Sequence, residues 1–132
     1  MTDQHLTRYL NTDLDLKSPR NLDNLAETLA KAGVSPLQVF QGEDGLHWAT
    51  FETEMQFAEP APNIEALLSA IEALSGEAKV DWATCTLREF NLGFEVGSGP
   101  WAFNQALSLD LLARMVKVEV GLRWTLYPAA DD

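Results

Sequence analysis

The sequence predicts a single α+β domain, in which a five-stranded mixed sheet has helices packed on one face and an acidic face open to solvent. Five segments alternate apolar and polar residues with a period of two, which is typical of a half-buried strand. The segments between them repeat apolar residues every three or four positions, as one side of an amphipathic helix does. The chain of 132 residues has the length of one domain, so residues 1–132 are assigned to a single unit.

The predicted strands cover residues 10–17, 34–41, 46–54, 87–96 and 120–127. The fourth is the clearest, because apolar side chains at its even positions alternate with polar or small ones at its odd positions. Asp44-Gly45 is a strong signal for a hairpin turn between the second and third strands. If Glu52 faces solvent, then Trp48 lies on the same face of the strand, and Ala49 and Phe51 point to the core.

Four helices are predicted between these strands. The first begins at Ser18-Pro19, because serine can cap a helix and proline suits its first position. Residues 59–62 are expected to form a non-helical loop, since each proline biases its predecessor away from the α region, and Asn63 then caps the second helix.

Residues 76–85 fit a short helix better than the start of a strand, and both possibilities are open from the sequence. Ser108 is predicted to cap the last helix. The chain ends, residues 1–5 and about 128–132, are predicted to be frayed.

Charge is the unusual property of the composition. Twenty acidic residues against nine basic ones give a formal net charge of −11 at pH 7, a field that repels nucleic acid and anionic lipid and attracts basic partners. The simplest alternative is that this excess only keeps the protein soluble. One cysteine excludes an internal disulfide, no apolar run approaches the length of a membrane helix, and residues 1–10 lack an apolar signal region. We therefore expect a cytoplasmic protein.

Alternation sends a set of carboxylates to the open face of the sheet, together with an indole and an amide. We predict that these side chains bind a basic protein, because an aromatic anchor within a charged rim is common at binding hot spots. A merely solvated face is the competing interpretation. The predicted partner-binding residues are Asp13, Asp15, Trp48, Glu52, Glu89, Asn91 and Glu95.

The loop that follows the fourth strand carries two large rings, Trp101 and Phe103, beside a Gly-Ser-Gly-Pro turn. The favoured interpretation is that these rings close one end of the core. The alternative is a ligand site, in which Trp101 stacks a flat molecule and the amides of Asn104 and Gln105 orient it.

Residues suited to catalysis are few. His5 and His47 are isolated from other ligand-type residues, and no Cys or His spacing matches a zinc site. Cys85 follows Trp82 at helical spacing, which favours a small buried core residue over a nucleophile. We therefore expect no enzymatic activity, cofactor or metal.

Four phrases resemble those of a family of small uncharacterised bacterial α/β proteins, in which comparable phrases occur in the same order. They are GEDGLHWATFET, CTLREFNLGF, PWAFNQALS and LRWTLYP. In size and charge such proteins are similar to the immunity proteins encoded beside bacterial toxins. The resemblance implies a protein that neutralises a basic toxin acting in the cytoplasm. The alternatives are a small-molecule-binding or enzymatic domain that uses Trp101, Asn104 and Gln105, and a mimic of nucleic acid.

Overall fold

The computed structural model describes residues 6–129, in which five strands form one mixed sheet in the order β2-β3-β1-β4-β5. Strand β1 lies at the centre and pairs antiparallel with β3 and β4, while β2 pairs antiparallel with β3, and β4 pairs parallel with β5. The predicted α+β class and the predicted succession of elements are confirmed. The elements are β1 (Arg8–Ser18), α1 (Asp23–Lys31), β2 (Val34–Gln41), β3 (His47–Thr53), α2 (Pro60–Glu72), α3 (Gly76–Thr84), β4 (Leu87–Val96), α4 (Leu109–Lys117) and β5 (Gly121–Pro128).

The core lies between one face of the sheet and the helices. Alternate residues of the central strands, such as Leu14 and Leu16 in β1 and Phe90 and Leu92 in β4, are almost fully buried there. They pack with the apolar sides of the helices, and the helical residues of this core include Leu25, Leu29, Ile64, Leu67, Leu68 and Leu111. Because strand side chains alternate between faces, burial of this set leaves the intervening polar residues on the other face of the sheet.

Several local predictions are confirmed. Ala49 and Phe51 are buried, as the proposed facing of β3 requires. Residues 76–84 form helix α3, and the hydroxyl of Ser108 accepts a hydrogen bond from the backbone N–H of Leu111 at 3.2 Å, as a helix cap does. Gly45 adopts a φ of 81° in the hairpin turn, a conformation that suits glycine.

The predicted start of the first helix at Ser18-Pro19 is wrong. The alternation of β1 continues through Ser18, which is fully buried, and α1 begins only at Asp23. The Ser18 hydroxyl accepts a hydrogen bond from the backbone N–H of Arg20 at 3.0 Å, so it stabilises the turn that leaves the strand.

The predicted loop over residues 59–62 is also wrong, because helix α2 begins at Pro60. Proline is tolerated in the first helical turn, where its missing N–H has no partner within the helix. As a result Asn63 lies inside the helix and is buried, with only 2% of its surface exposed, and it does not serve as a cap.

The carboxyl-terminal end of the sheet extends further than the predicted fraying allows. Pro128 pairs with Val96 in the β4–β5 register, and the backbone N–H of Ala129 donates to the Val96 carbonyl at 3.0 Å. The rest of that prediction concerns residues 1–5 and 130–132, which lie outside the described residues, as does His5.

Candidate functional site

The open face of the sheet gathers all seven residues that the alternation predicted for partner binding. Strands β1, β3 and β4 place them side by side because each position has the opposite parity to the buried positions of its own strand. Across the strands, Asp13 pairs with Asn91, and Asp15 pairs with both Glu89 and Thr50. Strands β1 and β4, which carry five of the seven residues, are therefore direct neighbours in the sheet.

Two of the predicted carboxylates are matched by basic side chains. The Glu89 carboxylate lies 2.6 Å from Nε of Arg123 on β5, and the Glu95 carboxylate lies 3.3 Å from Nε of Arg8 on β1. On this side of the face arginines therefore offset the acidic charge. Strand pairing explains these contacts, since Arg8 lies opposite Glu95, and Arg123 lies opposite Asn91, two residues along β4 from Glu89 and therefore on the same face.

The remaining carboxylates, Asp13, Asp15 and Glu52, form the acidic cluster of this face. Within residues 6–129 none of the three makes an ion pair. Partial burial, followed by repulsion from Asp15 and then Glu52, raises the pKa of Asp13 to about 6. Burial likewise raises the pKa of Asp15, and repulsion from Glu89 adds to the increase. A hydrogen bond from Thr50 and the positive charge of Arg123 offset part of it.

Asn91 and Asn11 frame this cluster with amide groups. The Asn11 side-chain N–H donates to the Asp13 carboxylate at 2.8 Å, which favours the charged form of that group and holds its orientation. Asn91 accepts a hydrogen bond from the Thr125 hydroxyl at 2.7 Å, so it bridges to the edge strand. A neutral amide thus orients Asp13, and Asn91 lies opposite Asp13 across the β1–β4 pairing.

Trp48 lies at one end of the face and is half-buried. The ammonium group of Lys17 sits 4.5 Å from the centroid of its ring, a cation–π contact, and lies 3.8 Å from the Asp44 carboxylate. The cross-strand neighbour of Trp48 on β2 is Phe40, whose surface is 49% exposed. The face therefore has an aromatic end and an acidic centre.

Sequence reasoning missed Phe40 and Arg123 as members of this face. The β2–β3 register shifts between Pro36 and Gln38, and this irregularity changes the parity of the strand, so that Phe40 stands beside Trp48. The proline at position 36 was the available signal, because proline within a strand marks an edge or a bulge.

The predicted role of Trp101 as a cap of the core is wrong, since its surface is 100% exposed. Phe103 is partly exposed and contacts Phe94 edge to face, with ring centroids 5.8 Å apart. Gln105 lines a groove of about 220 Å³ beside Leu92 and Trp124, and neither Trp101 nor Asn104 lines that groove.

Cys85 is buried, which confirms its interpretation as a small core residue, and burial raises the pKa of its thiol to about 11. Its sulfur lies 3.4 Å from the Asp81 carbonyl oxygen. His47 is half-buried on β3, opposite Ser18. Within the part of the chain that the structure describes, no three acidic, thiol or imidazole groups come together as metal ligands do.

The helices formed by residues 6–129 include none that is long and apolar enough to cross a membrane. Comparison of the chain with protein-family models, with curated proteins and with solved structures finds no match.

Proposed function

We propose that this protein binds a basic protein partner through the open face of its sheet and inhibits it, as an immunity protein inhibits a toxin that acts in the cytoplasm. The observation that carries the proposal is the acidic cluster of Asp13, Asp15 and Glu52. These side chains share a solvent-facing surface with an aromatic end, and none of the three makes an ion pair with a cation among the described residues.

The cluster is electrostatically costly in the free protein. Burial, followed by repulsion from Asp15 and Glu52, raises the pKa of Asp13, so its charged form is less stable here than that of an exposed aspartate. An arginine or lysine of a partner would supply a positive group, and a guanidinium can bond two carboxylate oxygens at once. Such a group would offset the part of the cost that comes from repulsion between the carboxylates.

The aromatic end of the face offers apolar surface that a partner can bury. Charged groups at an interface mainly speed encounter and set specificity, whereas large desolvated rings slow dissociation. Trp48 and Phe40 are adjacent and partly exposed, and Lys17 already covers one part of the indole. A partner that docks over this end can bury apolar surface on both rings.

The proposal is tested by neutralising the cluster without changing its shape. The test variant carries Asp13→Asn, Asp15→Asn and Glu52→Gln. The control carries Glu59→Gln, Glu77→Gln and Asp110→Asn, which remove the same charge from exposed positions outside the face. The partner is captured from the lysate of the native host, identified and purified, and association rates are measured against ionic strength.

We expect the cluster variant to associate at least about tenfold more slowly than the control at low salt, with the difference shrinking as salt rises. Trp48→Ala is expected to act mainly on dissociation. If the partner is a toxin, co-expression of the parent protein restores growth and the cluster variant does not. Equal association rates for the two triple variants would contradict the proposed face.

A further inference from the structure

A cavity of about 440 Å³ lies where the carboxyl-terminal ends of α2 and α4 meet α3, away from the open face of the sheet. Its floor is apolar and includes the indole of Trp82. Its rim is charged. The lining residues are Ile71, Glu72, Leu74, Lys79, Trp82, Ala83, Lys117, Val118 and Glu119. Its volume falls in the range of small-molecule sites, which combine an apolar body with a few polar groups.

The two lysines of the rim differ from the other basic residues of the chain. Neither Lys79 nor Lys117 makes an ion pair with a carboxylate that the structure describes. The other basic side chains, which do make ion pairs, are Arg8, Lys17, Arg20, Lys31, Arg88, Arg114 and Arg123. In a protein with a net charge of −11, the two basic residues that make no ion pair with a described carboxylate thus line one cavity.

The carboxylates of the same rim are already occupied. The Glu72 carboxylate accepts hydrogen bonds from Arg114 at 2.7 and 3.0 Å. The Glu119 carboxylate lies 3.7 Å from Arg88. The hydrogen bonds from Arg114 lower the pKa of Glu72, and the charge of Lys117 also lowers it, although Lys117 makes no ion pair with this carboxylate. Because the closest partners of these carboxylates are arginines, the two lysines can contact an incoming anion.

The wall behind the indole is held in place by backbone contacts. The Trp82 ring N–H donates to the Val118 carbonyl at 3.0 Å. Arg88 donates to the carbonyl oxygens of Trp82 at 3.1 Å, Cys85 at 2.7 Å and Glu119 at 2.9 Å. Glu119 has a φ of 59°, a left-handed backbone conformation that residues other than glycine rarely adopt. The cavity is therefore lined by a rigid and locally strained segment.

We propose that this cavity binds a small organic anion with a flat apolar body, an aromatic carboxylate or phosphate, whose ring packs over Trp82 while Lys79 and Lys117 contact its anionic group. The apolar floor selects the body, and the two ammonium groups select the charge. This site is separate from the acidic face, so either proposal can fail without the other.

An alternative account of Lys117 is purely structural, since a cation in the last turn of α4 interacts favourably with the negative end of the helix dipole. That account gives Lys79 no role, because Lys79 lies in the first half of α3. It also predicts that replacing Lys117 lowers stability and leaves ligand binding unchanged.

The test uses probes that share one body and differ in head group. They are 1-naphthyl phosphate, 1-naphthoate and neutral 1-naphthol, with inorganic phosphate as the head group alone. The chain has four tryptophans, so a ¹⁵N-labelled sample gives four indole N–H signals that report on separate places: Trp48, Trp82, Trp101 and Trp124. Replacement of each by phenylalanine assigns the signals.

We expect the two naphthyl anions to shift the Trp82 signal in a saturable manner, and naphthol and inorganic phosphate to bind at least about tenfold more weakly. Lys79→Gln and Lys117→Gln should each weaken the anions and leave naphthol unaffected. Lys31→Gln, which removes the same charge at an exposed position of α1, should change neither.

The relative affinities of the phosphate and the carboxylate identify the preferred head group. Three outcomes would overturn the proposal: a shift of the Trp124 or Trp101 signal with that of Trp82 unmoved, anion binding unchanged by both rim variants, or equal affinity for naphthol and the anions.

Discussion

The hydroxyl of Tyr9, near the start of the central strand, donates a hydrogen bond of 2.7 Å to Oδ1 of Asn63 in helix α2. The same oxygen accepts the backbone N–H of Thr12 at 3.1 Å, and the Asn63 side-chain N–H donates to the Thr53 hydroxyl at 3.0 Å. One buried amide therefore joins β1, β3 and α2. The register of β1 shifts between Tyr9 and Asn11. Asn63 bonds to a residue on each side of this shift, to the Tyr9 hydroxyl before it and to the Thr12 backbone after it.

Replacing Asn63 by alanine should lower the free energy of unfolding by about 2–4 kcal/mol, because it leaves a buried N–H group without a partner. Tyr9→Phe should cost less, about 1 kcal/mol, since the Thr12 N–H keeps its acceptor. Urea denaturation measures both. Asn104→Ala, at an exposed position, is the control and should change stability by less than about 0.5 kcal/mol. An equally small effect at Asn63 would show that the network does not stabilise the fold.

Asp13 makes stability depend on pH in an unusual direction. Its pKa is about 6 in the folded protein against an ordinary value of 3.8, so between these values the folded state binds more protons than the unfolded state. The free energy of unfolding contributed by Asp13 therefore falls as pH rises from 4 to 6. We expect Asp13→Asn to stabilise the protein by about 1–2 kcal/mol at pH 7, after allowance for solvent screening, and by little at pH 4.

Urea denaturation of parent and variant at pH 4 and pH 7 gives this difference directly. Glu43→Gln in the exposed hairpin turn serves as the control and should change stability by less than about 0.5 kcal/mol at either pH. An Asp13→Asn variant that is less stable than the parent at pH 7 would contradict the raised pKa of Asp13 in the folded protein.

Two tryptophans should respond oppositely to truncation. Trp101→Ala is expected to change the free energy of unfolding by less than about 0.5 kcal/mol, because the side chain buries no surface. Trp82→Ala should cost about 3–5 kcal/mol, since that ring is 7% exposed and donates a hydrogen bond to Val118. Thermal and urea denaturation of both variants measure the contrast. A large loss at Trp101 would place its ring in a packed environment.

For the open face, the pattern within a single strand predicts which side chains lie on the face but not which residues they contact. Alternation along β1, β3 and β4 is local, because successive side chains of a strand point to opposite faces, and it placed Asp13, Trp48 and Glu89 correctly. The partners of these residues depend on which strands lie side by side. Pairing of Glu89 with Arg123 requires β5 to join parallel to β4, and the position of Phe40 requires a register shift in β2.

By itself the sequence determined the order of helices and strands and the side of the sheet to which each central residue points, because both follow from periodicity within one segment. The tertiary structure decided the burial and the contacts of Ser18, Asn63 and Trp101. Each of these residues has a local signal, for a cap or for burial, that did not decide its place: Ser18 is buried at the end of β1, Asn63 lies inside α2 and accepts a hydrogen bond from the backbone of β1, and the Trp101 side chain is fully exposed. It also decided that Lys79 and Lys117, 38 positions apart in the sequence, line one cavity, since only the packing of α3 against the ends of α2 and α4 brings them together.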